Sequence, residues 1–319
     1  SSLFYGGKVN MRYKIERYKN CERFNEQYQR IHQFLLEAGN LEYNEHFHWG
    51  RFDWMHAHSY LDQDKLTNIV IFRDENDAIV GLNTYDTGYD DRVYLIHSSS
   101  DKLLLERMVD TVIKGEGGGA VLKVNAQDVV LCQILREKGF EKKNRCACVL
   151  SFDLSNPLEY DMPDAYRMSP RGFAADSWQY QLVIHKGFEN EGIPEKWDDE
   201  LLKRIPNVNE DLKTFAIANN EYCAHCGLWY ATGDTAYVEP VVTVPEHRKR
   251  GLAKAVVYEA CARAKALGAR RAVVVSDQEF YFRIGFTLSS EVYAWTKKNE
   301  TDSAGSKTGS HDPLRRNSS

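Results

Sequence analysis

The chain has 319 residues, about twice a typical domain, and its 41 Lys and Arg against 46 Asp and Glu leave a net charge of -5. That balance gives no electrostatic footprint for nucleic acid, and short basic runs such as Arg270-Arg271 read as solvated helix ends. No apolar run approaches the roughly twenty residues of a membrane span, no signal-peptide pattern opens the chain, and the 7 cysteines lack framework spacing, so a cytoplasmic protein with reduced thiols and no membrane partner is expected.

Residues 1–10 and the Ser-, Gly- and Lys-rich stretch 301–319 are expected to be disordered or vector-derived, with Met11 as the native start. Four histidines fall within residues 46–58, in His46-Phe47-His48-Trp49-Gly50-Arg51-Phe52-Asp53-Trp54-Met55-His56-Ala57-His58. Aromatic and Met residues dominate there and no ligand spacing recurs, so packing is expected rather than a metal site, with an acceptor-binding surface as the alternative. Ala78 to Leu82 reads as a strand leaving the turn Asp74-Glu75-Asn76-Asp77, and Gly139-Phe140 follows 58 residues after Gly81. The glycine run between Gly115 and Gly119 has no following Gly-Lys-Ser/Thr and reads as a loop, not a phosphate loop.

The second half repeats this order. Cys226-Gly227-Leu228 follows the turn Asn219-Asn220-Glu221, and Gly285-Phe286 again lies 58 residues after Gly227, at a constant offset of 146 from the first half. The chain is an internal duplication. Cys223 and Cys226 enter a predicted strand, where residues three apart face opposite ways, and no second C-x-x-C exists, so no metal is expected.

The β-branched run Val242 to Val244 breaks at Pro245, passes Arg248, Lys249 and Arg250, and reaches Gly251 where an amphipathic helix begins. Leu252, Val256, Val257, Ala260, Cys261, Ala264 and Leu267 form its apolar stripe, and Gly268 is its stop. With no side chain at Gly251 and only a methyl at Ala253, the unsatisfied amides and the helix dipole favour an anion, to which Arg248 and Arg250 can add forked hydrogen bonds.

Pro245-x-x-Arg248-x-x-Gly251-x-Ala253 after a strand, a second strand from Ala272 to Val275, and Tyr281-x-x-x-Gly285-Phe286 resemble the GNAT superfamily of acyl-CoA-dependent N-acyltransferases over about residues 214–296. With the duplication, the resemblance implies an α/β (α+β) chain of two tandem GNAT-like domains, each a twisted mixed β-sheet flanked by helices. Residues 11–155 would form a domain lacking the cofactor loop, and 156–300 the domain with the acyl-CoA site. The constant offset sets Leu105 and Arg107 against Gly251 and Ala253, and Leu135 against Tyr281.

The resemblance also implies a pantetheine arm lying between two splayed central strands. Backbone groups of Val242, Thr243 and Val244 would pair with it, while Arg248, Lys249, Arg250, Gly251, Leu252, Ala253 and Lys254 hold the pyrophosphate, with Ser276 and Phe282 completing the acetyl-CoA site. The implied reaction is acetyl transfer to a primary amine of a small-molecule acceptor in a ternary complex, without a metal. Tyr281 would donate the proton to the departing thiolate and Glu239 would act as base, the alternative for Glu239 being a polar position at a bulge before Pro240. His225 and His247 are weaker base candidates. The acidic residues Glu189, Glu191, Glu195, Asp198, Asp199 and Glu200 are expected at the acceptor mouth, where they would favour a cationic amine. A non-catalytic CoA-binding or regulatory protein is the alternative reading.

Overall fold

The computed structural model describes residues 12–115, 119–194 and 199–297, so the expectations for residues 1–10, Met11, Gly117, Gly118 and 301–319 lie outside the described residues. The first half runs β1 (Lys14–Arg17), α1 (Glu26–Ala38), α2 (Trp49–Ala57), β2 (Val70–Arg73), β3 (Ile79–Thr84), β4 (Arg92–His97), α3 (Lys102–Gly115), β5 (Val121–Asn125), α4 (Val129–Glu137) and β6 (Phe140–Asp153). The second half runs β7 (Arg167–Met168), α5 (Ser177–Gly187), α6 (Asp199–Lys203), β8 (Lys213–Ala218), β9 (Glu221–Trp229), β10 (Thr235–Thr243), α7 (Leu252–Leu267), β11 (Arg271–Val275), α8 (Glu279–Arg283) and β12 (Thr287–Lys297). α7 keeps its predicted limits because both ends carry glycine in the left-handed region, Gly251 at φ 78° and Gly268 at φ 116°. Among the described residues no helix is long and apolar enough to cross a membrane.

The described strands form one twelve-stranded mixed sheet in the order β1-β2-β3-β4-β5-β12-β6-β11-β10-β9-β8-β7. The halves therefore exchange their last strands. β6 runs antiparallel to β11, and β12 runs antiparallel to β5. Packing follows the exchange. Cys148, Leu150 and Phe152 of β6 are buried with Val256 and Ala260 of α7, whereas Trp295 of β12 is buried with Leu104, Leu105 and Met108 of α3. Where the two exchanged strands pass each other, Arg145 reaches Glu291 at 2.9 Å, residues related by the 146-residue offset.

α1 and α2 lie across the junction. Their Tyr28, Phe52 and Met55 share a core with Trp229, Tyr237 and Val273 of the second half. Glu45, buried, also pairs with Arg271 across it. His48 and His56 serve this packing, as the aromatic composition implies. His48 Nδ1 accepts from the Gly50 amide at 3.0 Å, and His56 Nδ1 bonds the Phe52 carbonyl at 2.9 Å.

Trp295→Ala should cost about 3–5 kcal/mol through the cavity it leaves. Amide exchange should quicken in α3 and β5 before α7, although the substitution lies in the last strand. Burial also lowers five histidines below the usual 6.5, His46 and His58 to about 4, and His48, His56 and His225 to about 3. Below about pH 6.5 the unfolded chain binds more protons than the folded one. Stability present above that pH is therefore lost as pH falls toward the folded values, by up to ~1.4 kcal/mol per histidine per pH unit. Urea midpoints measured from neutral to acidic pH should show this decline, and His56→Leu should make it shallower.

Candidate active site

β10 and β11 run parallel only where Thr235, Ala236 and Tyr237 face Arg271, Ala272 and Val273, and beyond Tyr237 they diverge. The divergence coincides with a register shift between Val238 and Val241 against β9. Pro240, which has no N–H to give a ladder, sits in that bulge. Gly227 lies opposite, and a Cβ there would stand 2.6 Å from the Glu239 carbonyl oxygen, so the bulge needs glycine as its neighbour. The gap opens into a cleft of about 870 Å³ bounded by both halves, with Glu239, Ser276 and Tyr281 on its walls.

The far end of β10 leads to the predicted anion loop. Gly251 takes the left-handed conformation, and Lys249 does so too at φ 60°. The first-turn amides of Gly251, Leu252 and Ala253 meet no acceptor among the described residues. Thr243 Oγ1, buried at the end of the same strand, meets no partner among the described residues. An amide-lined helix start reached from a splayed strand suits the pyrophosphate and pantetheine of a CoA thioester. Val242 and Val244 are buried in the sheet beside α5.

The side chains of the basic turn are engaged elsewhere. Arg248 donates to the Thr243 carbonyl at 3.1 Å and the Gly187 carbonyl at 3.0 Å, and pairs with Glu189 at 3.3 Å. It fastens β10 to the end of α5, so its expected fork toward phosphate is already occupied. Arg250 reaches the Glu246 carbonyl at 3.3 Å, and Lys254 lies 4.9 Å over the Tyr258 ring. Ser276 accepts from the Gln278 amide at 3.2 Å and so orients the start of α8. Phe282 is 44% exposed and does not line the cleft.

Tyr281 and Glu239 face the same space. Tyr281 is 7% exposed between Phe280 and Phe286, and burial pushes its phenol well above the ordinary value, aided by Cys226 and Glu239. Glu239 Oε2 accepts from the Tyr237 hydroxyl at 2.6 Å, while Trp229 Nε1 holds the Glu239 carbonyl at 2.8 Å. Burial raises the Glu239 carboxyl, Arg51 opposes the rise, and Asp86 adds to it. Glu239 thus combines the bulge position with a place on the cleft wall. His225 is enclosed, bonding the Thr214 carbonyl at 3.0 Å and stacking on Phe215, and His247 bonds the Tyr166 hydroxyl at 2.8 Å. Neither lines the cleft.

The opposite wall comes from the first half and includes His46, Arg51, Trp54 and His58 of the aromatic-rich segment, with Asp86, Tyr94 and Lys123. That segment therefore packs and faces the cleft at once. Of the acidic stretch, Glu191 lines the cleft, Glu189 is taken by Arg248, and Glu200 pairs with Lys203 at 2.9 Å. Glu195 and Asp198 lie outside the described residues, as does the side chain of Asp199. The expected acidic mouth is reduced to one of its members among the described residues.

The first half offers an internal comparison. β4 and β5 also diverge after Tyr94 and Lys123, but residues 42–46 bridge them. Asn44 donates to the His97 carbonyl at 2.7 Å, His46 Nε2 bonds the Lys123 carbonyl at 3.2 Å, and Asn125 reaches the Glu42 carbonyl at 3.3 Å. The expected match of Leu105 and Arg107 with Gly251 and Ala253 does not hold, because Leu105 is a buried core residue inside α3. Asp101 precedes α3 and accepts from the Leu104 amide at 3.1 Å, standing four positions after His97 where Gly251 stands eight after Thr243. The connection is shorter by half and carries its own carboxylate. Leu135 does lie against Tyr281's position in the repeat, buried in the first-half core.

Residues 178–286 match the acetyltransferase (GNAT) family. That segment of the second half is a GNAT domain. Solved structures extend the likeness of fold to nearly the whole chain. A tandem GNAT protein from the clavulanic acid biosynthesis pathway is 11% identical with a TM-score of 0.54, over 89% of this chain and 98% of its own. A GNAT-family acetyltransferase from Colwellia psychrerythraea is 14% identical with a TM-score of 0.55, over 89% and 100%. A GCN5-related N-acetyltransferase from Sphaerobacter thermophilus is 12% identical with a TM-score of 0.51, over 90% and 95%. No curated protein matches the chain by sequence. The tandem GNAT fold is thus shared, and the GNAT family is one of acetyltransferases.

If the open first-turn amides hold the phosphates of CoA, Gly251→Asp should weaken CoA binding about 100-fold or more in calorimetry by setting a carboxylate beside them. Gly251→Asn, which accepts the left-handed conformation without charge, should lose much less. Equal losses would mean that conformation, not charge, governs the loop.

Proposed function

We propose that the chain is an acyl-CoA-dependent N-acyltransferase that transfers acetyl from acetyl-CoA to a primary amine of a small molecule, with one acyl-CoA site per chain. The observation that carries this reading is the splay of β10 from β11, with Glu239 and Tyr281 on the gap and open first-turn amides at the end of the same strand. The bridged gap and the Asp101 cap of the first half support a single site. Seven free cysteines fit a reducing compartment such as the cytoplasm.

Acetyl-CoA, when bound, supplies the acyl group as a thioester. Glu239 takes a proton from the acceptor ammonium so that a neutral amine attacks, and burial, by raising its affinity for protons, makes it a stronger base than an exposed carboxylate. The Tyr237 hydroxyl holds Oε2, so Oε1 is the oxygen assigned to the acceptor. As the carbon–nitrogen bond forms and the carbon–sulfur bond breaks, Tyr281 gives its proton to sulfur, and the second proton of the attacking nitrogen passes to the phenolate so formed, which restores Tyr281 and leaves an amide and a thiol. The phenol stays protonated beforehand because its burial disfavours the phenolate.

Thiol release from acetyl-CoA with a panel of amines tests the reading. Tyr281→Phe should lower kcat by roughly 10²–10⁴-fold with little change in CoA affinity. The acidic limb of the kcat profile should lie above the ordinary carboxylate range and vanish in Glu239→Gln, since the base works only when deprotonated. CoA binding without amine-dependent thiol release would leave a CoA-binding protein instead.

A further inference from the structure

The charges that the first half presents to the cleft do not balance. Arg51 gives Nε and Nη2 to Asp86 Oδ2 at 2.8 and 2.7 Å, and Arg92 pairs with Asp90. The other oxygen of Asp86 accepts from Thr87 Oγ1 at 3.2 Å. Lys123, on the same wall, meets no carboxylate among the described residues. Its Nζ donates to the Tyr94 hydroxyl at 3.2 Å and stands 5.3 Å from the centre of that ring. Strand alternation sets its direction, because Leu122 and Val124 enter the core beneath α3 and α4, so Lys123 leaves the opposite face of β5.

Lys123 is also connected to the reacting end of the cleft. Arg51 lies 5.3 Å over the same Tyr94 ring and reaches its hydroxyl at 3.4 Å, and the field of Arg51 is felt at Glu239. Tyr94 therefore meets both an arginine already neutralised by Asp86 and an ammonium that has no counterion among the described residues. A half-buried ammonium loses hydration that a water-excluding neutral ligand cannot restore, whereas an oxyanion restores it with charge-assisted hydrogen bonds.

We propose that the acceptor carries an anionic oxygen group besides its amine, a carboxylate or a phosphate-type group, and that Lys123 with the Tyr94 hydroxyl holds it. The assignment rests on the acyltransferase reading for the amine end. It makes the acceptor a zwitterion spanning the two halves, its nitrogen at Glu239 and its anion on the wall of the first half. Lys123 is then a specificity residue contributed by the half that does not hold the acyl donor.

The test pairs aminocarboxylates and aminoalkyl phosphates of graded spacer length with neutral amines of the same shape, in turnover and in calorimetric binding to the CoA-loaded protein. The expected result is a preference for the anion-bearing member of about 10- to 100-fold in KM or Kd, with kcat similar. The preference should collapse in Lys123→Met and return in Lys123→Arg, with circular dichroism and melting used to verify that both variants fold. A preference for neutral amines, or one that survives Lys123→Met, overturns the anion site. Which of the two anion classes is favoured identifies its source. Absence of amine-dependent thiol release counts against the acyltransferase reading alone, because the binding comparison between the parent protein and Lys123→Met still decides the site.

Discussion

Every feature of the cleft depends on β6 and β12 lying side by side at the centre of the sheet, each closing the half it does not come from. An ordinary interface between two domains consists of side chains and permits relative motion. Here the joint is a long antiparallel strand pairing, interrupted by three register shifts, with Phe152 of the first half buried in the core of the second and Trp295 of the second buried in the core of the first. The distance from Tyr94 to Glu239 is thereby set by sheet geometry and by the packing of α1 and α2 across Trp229 and Tyr237. A cleft whose two walls come from different halves can hold a shape only if the halves are fixed to each other in this way.

The duplication separates what folding requires from what chemistry requires. Both repeats keep the parallel pair that diverges, the helix behind it and the closing Gly-Phe turn. They differ in what fills the divergence. The first repeat satisfies its strand ends with Asn44, His46 and Asn125, and its helix start with Asp101. In the second the equivalent amides meet no acceptor among the described residues, an arrangement that costs stability unless a ligand supplies acceptors.

The parts legible in the sequence are those carried by local geometry. Gly251 and Gly268 delimit α7 because both occupy a conformation that other residues resist, and Pro240 marks the bulge on which Glu239 sits. The exchanged strands were not legible, since alternation of apolar residues tells which face of a strand is buried and not which strand lies beside it. The counterpart of Gly251 was misplaced by four residues because the repeat spacing holds at His97 and at Gly139 but not in the connection between them. Arg51, Tyr94 and Lys123 carry no motif at all. They come from α2, β4 and β5, and only the tertiary structure brings them to one wall.

The strand exchange also dictates an order of events during synthesis. β6 leaves the ribosome long before β11 or β12 exists, so its backbone donors and acceptors, and those on the open flank of β5, must wait through the production of the entire second half. An unpaired edge of this kind is a template for any matching strand, including the same strand of another newly made molecule. Two chains that exchanged β12 would satisfy the same strand pairings, which is the geometry by which domain swapping makes dimers.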